Sequence, residues 1–319
     1  MPAPWPVADN ELAAAHCDFK VDHVPKRPDI TQFKRRSRWQ QAWWRERYSL
    51  PIGGHTSPGK EAPTPNGSRM ELTLAKKTGC NFLSQEIRDT VAKRLSYREP
   101  HQTLNEERLW SDLLSSMPMC FNLFGELDCD RDRFNMTVAA LWPDSPGDPY
   151  RLLFEWSPGR RNPRYLNNRS AFDCAILLRD HSGKRGVIGI ETKYHEHTKM
   201  EATPDADKRL PRYIEVTKRS KAFRTGWEST LIGTDLQQFW LDHLLVLSML
   251  QHPDTNWSWG RFVVAYPTAN KSIEEAADRY KAVLVKPDTF EALAIEQLLA
   301  ADVLHDAETA KLFRERYLW

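Results

Sequence analysis

Residues 171–195 read AFDCAILLRDHSGKRGVIGIETKYH, two apolar runs around a short polar turn, and each run carries charge where a buried strand should be apolar. Asp173 stands near the start of the first run, and Glu191 and Lys193 stand at the end of the second. Side chains alternate along a strand, so Val187, Gly189, Glu191 and Lys193 share one face of the second run, and Ile188, Ile190 and Thr192 share the other. If the turn around Ser182 and Gly183 holds an odd number of residues, for instance 181–183, residue 180 pairs with 184 and Asp173 falls opposite Glu191. Directly opposed residues lie close on one face. An even turn would put Asp173 opposite Thr192 and spoil the arrangement unless a bulge restored it.

Two carboxylates brought together repel, and burying them without a counter-charge is costly. A hard divalent cation with oxygen ligands answers that need, and Mg²⁺, with Mn²⁺ as a substitute, suits an incomplete cage that leaves room for water and a phosphate. Lys193 beside it could orient or deprotonate the attacking water, or neutralise charge that builds on the phosphate. This is equipment for metal-assisted phosphodiester hydrolysis. The competing reading is a solvated acid–Lys–acid face on a surface hairpin. An acid-x-Lys triplet alone has little weight, because Asp18-Phe19-Lys20 is another, with neither an apolar strand nor an upstream Asp behind it.

The rest of the chain supplies context. Residues 1–70 read as a loop-rich arm, basic and aromatic over 26–48, where eight Lys or Arg face two acids among Trp39, Trp43, Trp44 and Tyr48. Such a stretch can hold phosphates while its rings stack on bases, or pack its tryptophans on a core with its cations solvated. Residues 71–319 read as the main domain. Helical spacing covers 73–95 and 103–117, with Thr103 and Glu106 in capping-box register, which leaves Glu107 free on the face of Trp110 and Leu114. A strand follows at 148–158, then an arginine-rich loop at 159–170, the hairpin, a basic segment at 208–227, a helix at 234–251 opened by Thr234 and Gln237, a strand at 259–267 and closing helices. Strands alternating with helices predict an α/β fold, a central mixed β-sheet flanked by helices.

Asp173, seventeen intervening residues and Glu191-Thr192-Lys193, with an acid-bearing helix upstream, resemble the PD-(D/E)XK nuclease superfamily and its restriction-endonuclease-like core. Phe172 stands where that pattern has Pro. More narrowly, SSMPMCFNLFGEL, FEWSPGR, YLNNRSAFD, GIETKYHE and GTDLQQFWLDHLL together are similar to a bacterial restriction-endonuclease-like family over most of the chain. The resemblance implies that Asp173 and Glu191 bind the metal, with Lys193 as the motif lysine. It implies an acid from the first core helix, Glu107 with Glu106 as competitor, and a glutamine, Gln238, on the helix after the motif. Glu155 is either an additional ligand or a strand-face salt-bridge partner. Arg160, Arg161, Arg164 and Arg169, just ahead of Asp173, are candidates for contact with the substrate backbone, because guanidinium groups bind phosphate bidentately.

Other chemistries lack support. His195, Glu196 and His197 offer metal-binding atoms, but no third ligand stands at a recognisable zinc spacing. No nucleophile elbow and no phosphate-binding Gly loop is present, so any ATP-driven step would belong to a separate ATPase or defence partner. Five scattered cysteines and the want of a signal-peptide pattern predict reduced thiols and a cytoplasmic protein with no membrane segment. With a net charge of only +2, the three basic zones would mark a nucleic-acid groove on a balanced surface. The expectation is a Mg²⁺-dependent nuclease acting on DNA, in bacterial defence or repair, with two active sites in a homodimer if both strands are cut. An RNA substrate, and a nucleic-acid-binding protein that keeps the fold without cutting, are the alternatives.

Overall fold

The computed structural model describes residues 6–55, 63–102 and 104–319. Two sheets form among them. A small antiparallel pair joins β1 (Ile52–His55) to β2 (Thr64–Met70), inside a stretch expected to be loop. The main sheet has five strands, β3 (Asp148–Trp156), β4 (Phe172–Arg179), β5 (Arg185–Thr192), β6 (Trp257–Tyr266) and β7 (Phe290–Ala294), in that spatial order. β3, β4 and β5 run antiparallel as a meander, whereas β5–β6 and β6–β7 are parallel. Parallel neighbours need crossovers, and the helices Gln237–Leu250 and Lys271–Ala282 provide them. This is the expected mixed sheet flanked by helices, with β7 added where only helices were expected.

Asp180 sets the central register. Its Oδ1 accepts hydrogen bonds from Ser182 N (2.9 Å), Ser182 Oγ (2.8 Å) and Lys184 N (2.8 Å), and Gly183 takes the left-handed φ of +83° that the turn requires. Asp180 N donates to Lys184 O at 2.9 Å, so the turn is residues 181–183. Arg179 then pairs with Arg185 and Cys174 with Ile190. β5 lies mid-sheet and is buried on both faces. Cys174, Ile176, Ile188 and Ile190 pack into one apolar layer, and Ala175, Leu177 and Val187 into the other.

Phe172 has a specific place. A Cβ on Gly189 would fall 2.4 Å from its ring, so the glycine of GIETK is the space into which Phe172 packs.

Helix boundaries differ from the sequence reading for local reasons. The helix expected over 73–95 breaks at Gly79, which caps Leu72–Thr78 at φ +63°, and restarts at Ser84, whose side chain accepts from Ile87 N. The 103–117 helix is only Glu106–Ser111, because Asp112 and Leu113 pair with β2, and a new helix begins at Ser116. Residues 28–47 are a 20-residue helix rather than part of a loop-rich arm. That helix buries Arg38 against Asp22 and Gln41 against Tyr194, so its polar side chains serve packing. All five cysteines are free, and no helix among the described residues is long and apolar enough to cross a membrane.

Gly189→Ala should lower stability by about 1–3 kcal/mol, the usual result of overpacking a filled core, read as a lower urea midpoint. An unchanged midpoint would show that the ring of Phe172 does not occupy that space.

Candidate active site

The two ladders place three acids in one row. Phe154 pairs with Cys174 and Trp156 with Phe172, which sets Glu155 across from Asp173. Cys174 pairs with Ile190, and one step along the same register sets Asp173 across from Glu191. The row crosses β3, β4 and β5 at one end of the sheet, where the apolar layers stop.

Glu191 joins a closed ring of side chains. Lys193 Nζ donates to Glu191 Oε1 at 2.8 Å and to Gln238 Oε1 at 3.0 Å, and Gln238 Nε2 donates to Glu191 Oε1 at 2.9 Å. Gln238 comes from the helix Gln237–Leu250, which packs on β5 and β6. Lys193 N donates to Ala265 O at 2.8 Å and extends the β5–β6 ladder past the end of β5, so the lysine backbone is fixed. Burial alone would pull the Lys193 ammonium toward neutrality, but the charges of Glu191 and Glu196 outweigh it and hold the group above its usual range. Lys193 is therefore a cation at neutral pH, which favours charge neutralisation and orientation over deprotonation of water.

Asp173 is held separately. Its Oδ2 accepts from Thr192 N (2.9 Å) and Thr192 Oγ1 (2.7 Å). Burial first, then the charges of Glu191 and Glu155, push its carboxyl well above the usual range, and the Thr192 hydrogen bonds only partly offset this. Glu155 is raised too, by burial and then by Glu191. It adopts a left-handed φ of 47° within β3, and Arg94 and Arg160 hold it there by donating to its carbonyl oxygen at 3.1 and 2.7 Å. Its carboxylate makes no hydrogen bond or ion pair among the described residues.

The Asp173 and Glu155 carboxyls, both raised by burial and by the charge of Glu191, with one ammonium that reaches Glu191 alone among these acids, fit a hard divalent cation. Among the described residues no three His, Cys, Asp or Glu side chains close into a metal cage by themselves. Asp173 and Glu191 would be its protein ligands, with water and substrate oxygens completing the shell, as Mg²⁺-type sites allow.

Glu107 does not join this row. It pairs with Arg69 at 2.7 Å on an exposed flank, its side chain 53% accessible. Of the expected capping box, Glu106 is the first helical residue and pairs with Lys76 at 3.4 Å and with Arg98, while Asn105 caps the helix by accepting from Arg108 N at 3.0 Å. Thr103 lies outside the described residues. The acid brought to Asp173 and Glu191 is Glu155, from the strand rather than the helix. A second acid, Asp242, is buried one turn beyond Gln238, with Glu191 and Lys193 the strongest charges on it. A lone Asp four residues after Gln238 in the apolar run FWLDHLLVL was the available signal for it, whereas the register of β3 could not be counted across the fifteen-residue connection from Trp156 to Phe172.

The arginines divide. Arg160 is a structural group, its side chain 3% accessible, paired with Glu99 and with the Glu155 carbonyl, so it is not available to a phosphate. Arg164 is exposed and pairs with Asp254, while Arg161 and Arg169 are exposed with no ion pair among the described residues. Lys193 and Gln238 open onto a cavity of about 320 Å³ that Lys34, His195, His197 and Lys199 also line. Glu196 is not free for zinc, because its carboxylate accepts from Ser116 Oγ (2.8 Å) and Tyr194 N (2.7 Å).

A mixed sheet that delivers two acids and a lysine from adjoining strand ends, backed by a glutamine on the following helix, has the architecture of a restriction-endonuclease-like core. Residues 28–319 match the PD-(D/E)XK nuclease superfamily, and the chain belongs to that superfamily. No curated protein and no solved structure matches it.

The raised Asp173 carboxyl fixes a sign. The folded protein keeps a proton that the unfolded chain releases above about pH 4, so this stabilising contribution is present below that pH and lost as pH rises through the folded pKa. Without metal, the melting temperature of the wild type should fall relative to Asp173→Asn as pH is raised from about 4 toward neutrality. A difference that stays constant would contradict the crowding of carboxylates.

Proposed function

We propose that this protein is a metal-dependent nuclease that hydrolyses phosphodiester bonds in DNA, with Mg²⁺ as its cofactor and Mn²⁺ as a substitute. The observation that carries the reading is the register that sets Asp173 opposite Glu191 with Lys193 locked to Glu191, in a chain of this superfamily. A divalent cation held there would supply Lewis-acid polarisation of a phosphoryl oxygen and a water of lowered pKa.

The chain's own residues do the remainder. Asp173 and Glu191 bind the metal, and Thr192 steers the Asp173 carboxylate through two hydrogen bonds. Lys193 presents a fixed positive charge toward the cavity, where it offsets negative charge that grows on the phosphate in the transition state. Gln238 keeps Lys193 and Glu191 in register by bonding to both. Arg161, Arg164 and Arg169 bind the substrate backbone from the loop ahead of β4, and Arg164 must leave Asp254 to do so. Cleavage of both strands of a duplex would draw on two copies of the chain, and the proposed role in bacterial defence or repair rests on family analogy alone.

The test is cleavage of supercoiled plasmid, linear duplex, single-stranded DNA and RNA with Mg²⁺, Mn²⁺ or EDTA. Glu191→Ala and Lys193→Ala should each reduce metal-dependent cutting by at least about 100-fold, and Glu107→Gln should leave it within a few-fold of wild type. Cutting that persists in EDTA or in Glu191→Ala would overturn the assignment. Tight binding of nucleic acid by a folded wild type that never cuts would favour a binding protein, and preferential cutting of RNA would change the substrate class.

A further inference from the structure

The helix Gln237–Leu250 buries four polar side chains, Gln237, Asp242, His243 and Ser248. Three are satisfied. Gln237 accepts from Gly233 N (2.7 Å) and donates to Ala202 O (2.9 Å), and Ser248 Oγ donates to Leu245 O (2.8 Å). His243 reaches Tyr280 Oη at 3.0 Å and Thr289 Oγ1 at 2.9 Å. Asp242 differs: it is 8% exposed, and its Oδ2 is buried with no hydrogen-bond partner. A buried acceptor left unpaired costs about 1–3 kcal/mol, and more when charged.

Its surroundings make the position more demanding. The charges acting on Asp242 are Glu191, Lys193, Asp173 and Glu201, and Lys193 alone among them is positive. Lys193 is already bonded to Glu191 and Gln238. An apolar residue would suit a helix that otherwise presents Phe239, Leu245 and Val246 to the core. Carried one turn past Gln238, Asp242 instead places another carboxyl, which burial and then Glu191 push well above the usual range, behind Asp173 and Glu191.

We propose that Asp242 is a positioning residue of this site, whose carboxylate becomes satisfied when a divalent cation binds at Asp173 and Glu191. The inference rests on the nuclease reading above for the nature of that cation. Asp242 acts through the field at the site and through the Lys193–Glu191–Gln238 ring, strengthening metal binding at the expense of the metal-free fold.

Full-length wild type, Asp242→Asn, Asp242→Glu and Asp173→Asn would be titrated with Mn²⁺ by electron paramagnetic resonance, and their melting temperatures measured without metal. Asp242→Asn should melt at or above the wild-type temperature while binding Mn²⁺ about 10–100-fold more weakly. Asp242→Glu, which keeps the carboxylate, should recover most of the affinity. Wild-type Mn²⁺ affinity in Asp242→Asn, with affinity lost in Asp173→Asn, would overturn the positioning role and leave the nuclease site standing. Affinity unchanged in both would overturn the nuclease-site reading on which this one rests.

Discussion

The pairing register of β4 against β5 is the constraint on which the site depends. A slip of one residue would turn Asp173 away from Glu191 and exchange the two apolar faces of the central strands. Two independent features forbid it. Asp180 locks a three-residue turn by accepting three hydrogen bonds on its side chain, and helices cover both faces of the sheet, so neither set of β5 side chains can be turned to water. The acids sit where that register runs out, at strand ends, which lets a strongly apolar hairpin carry charge without placing it in the middle of the core.

Holding like charges at one sheet end requires support from a distance. Arg94 and Arg160 fix the kinked backbone at Glu155, and both also bind Glu99. The segment after Lys193 is held from several directions. Asn270 donates to Tyr194 O and Glu196 O, both at 2.9 Å, and Gln41 donates to Tyr194 Oη at 2.9 Å. Gln41 in turn accepts from Arg316, a fully buried guanidinium that also donates to Asn81 and lies 4.7 Å from the Tyr317 ring centroid. That guanidinium is neutralised by no carboxylate among the described residues, so it depends on oxygen acceptors and ring faces. Helices near the two ends of the described chain thus brace the strand end that bears the motif lysine.

Much of this was legible in the sequence where local chemistry decides. An odd turn around Ser182 and Gly183 is one of the two counts the sequence allows, the pairing of Asp173 with Glu191 follows from it by counting, and Gln238 is implied by the family resemblance. What escaped depends on tertiary contact. Residues 26–48 look like a basic arm in composition, yet their arginines and glutamines bond to groups more than a hundred residues away, such as Tyr194 and Arg316. Glu107 looks free from its helical position, but Arg69 on β2 claims it. β7, the sequence FEALA, consists largely of good helix formers and becomes a strand because the edge of β6 is available to pair. Glu155 needed the β3 register, which a long loop conceals.

The central claim is that Asp173 and Glu191 together hold a divalent cation beside Lys193. The most direct measurement is an anomalous-difference map from crystals of the wild type soaked in Mn²⁺. A peak bounded by the carboxylates of Asp173 and Glu191, at about 2.0–2.3 Å from an oxygen of each, is the result this account predicts. A Mn²⁺ peak at His195 and His197, with none between the two acids, would contradict it.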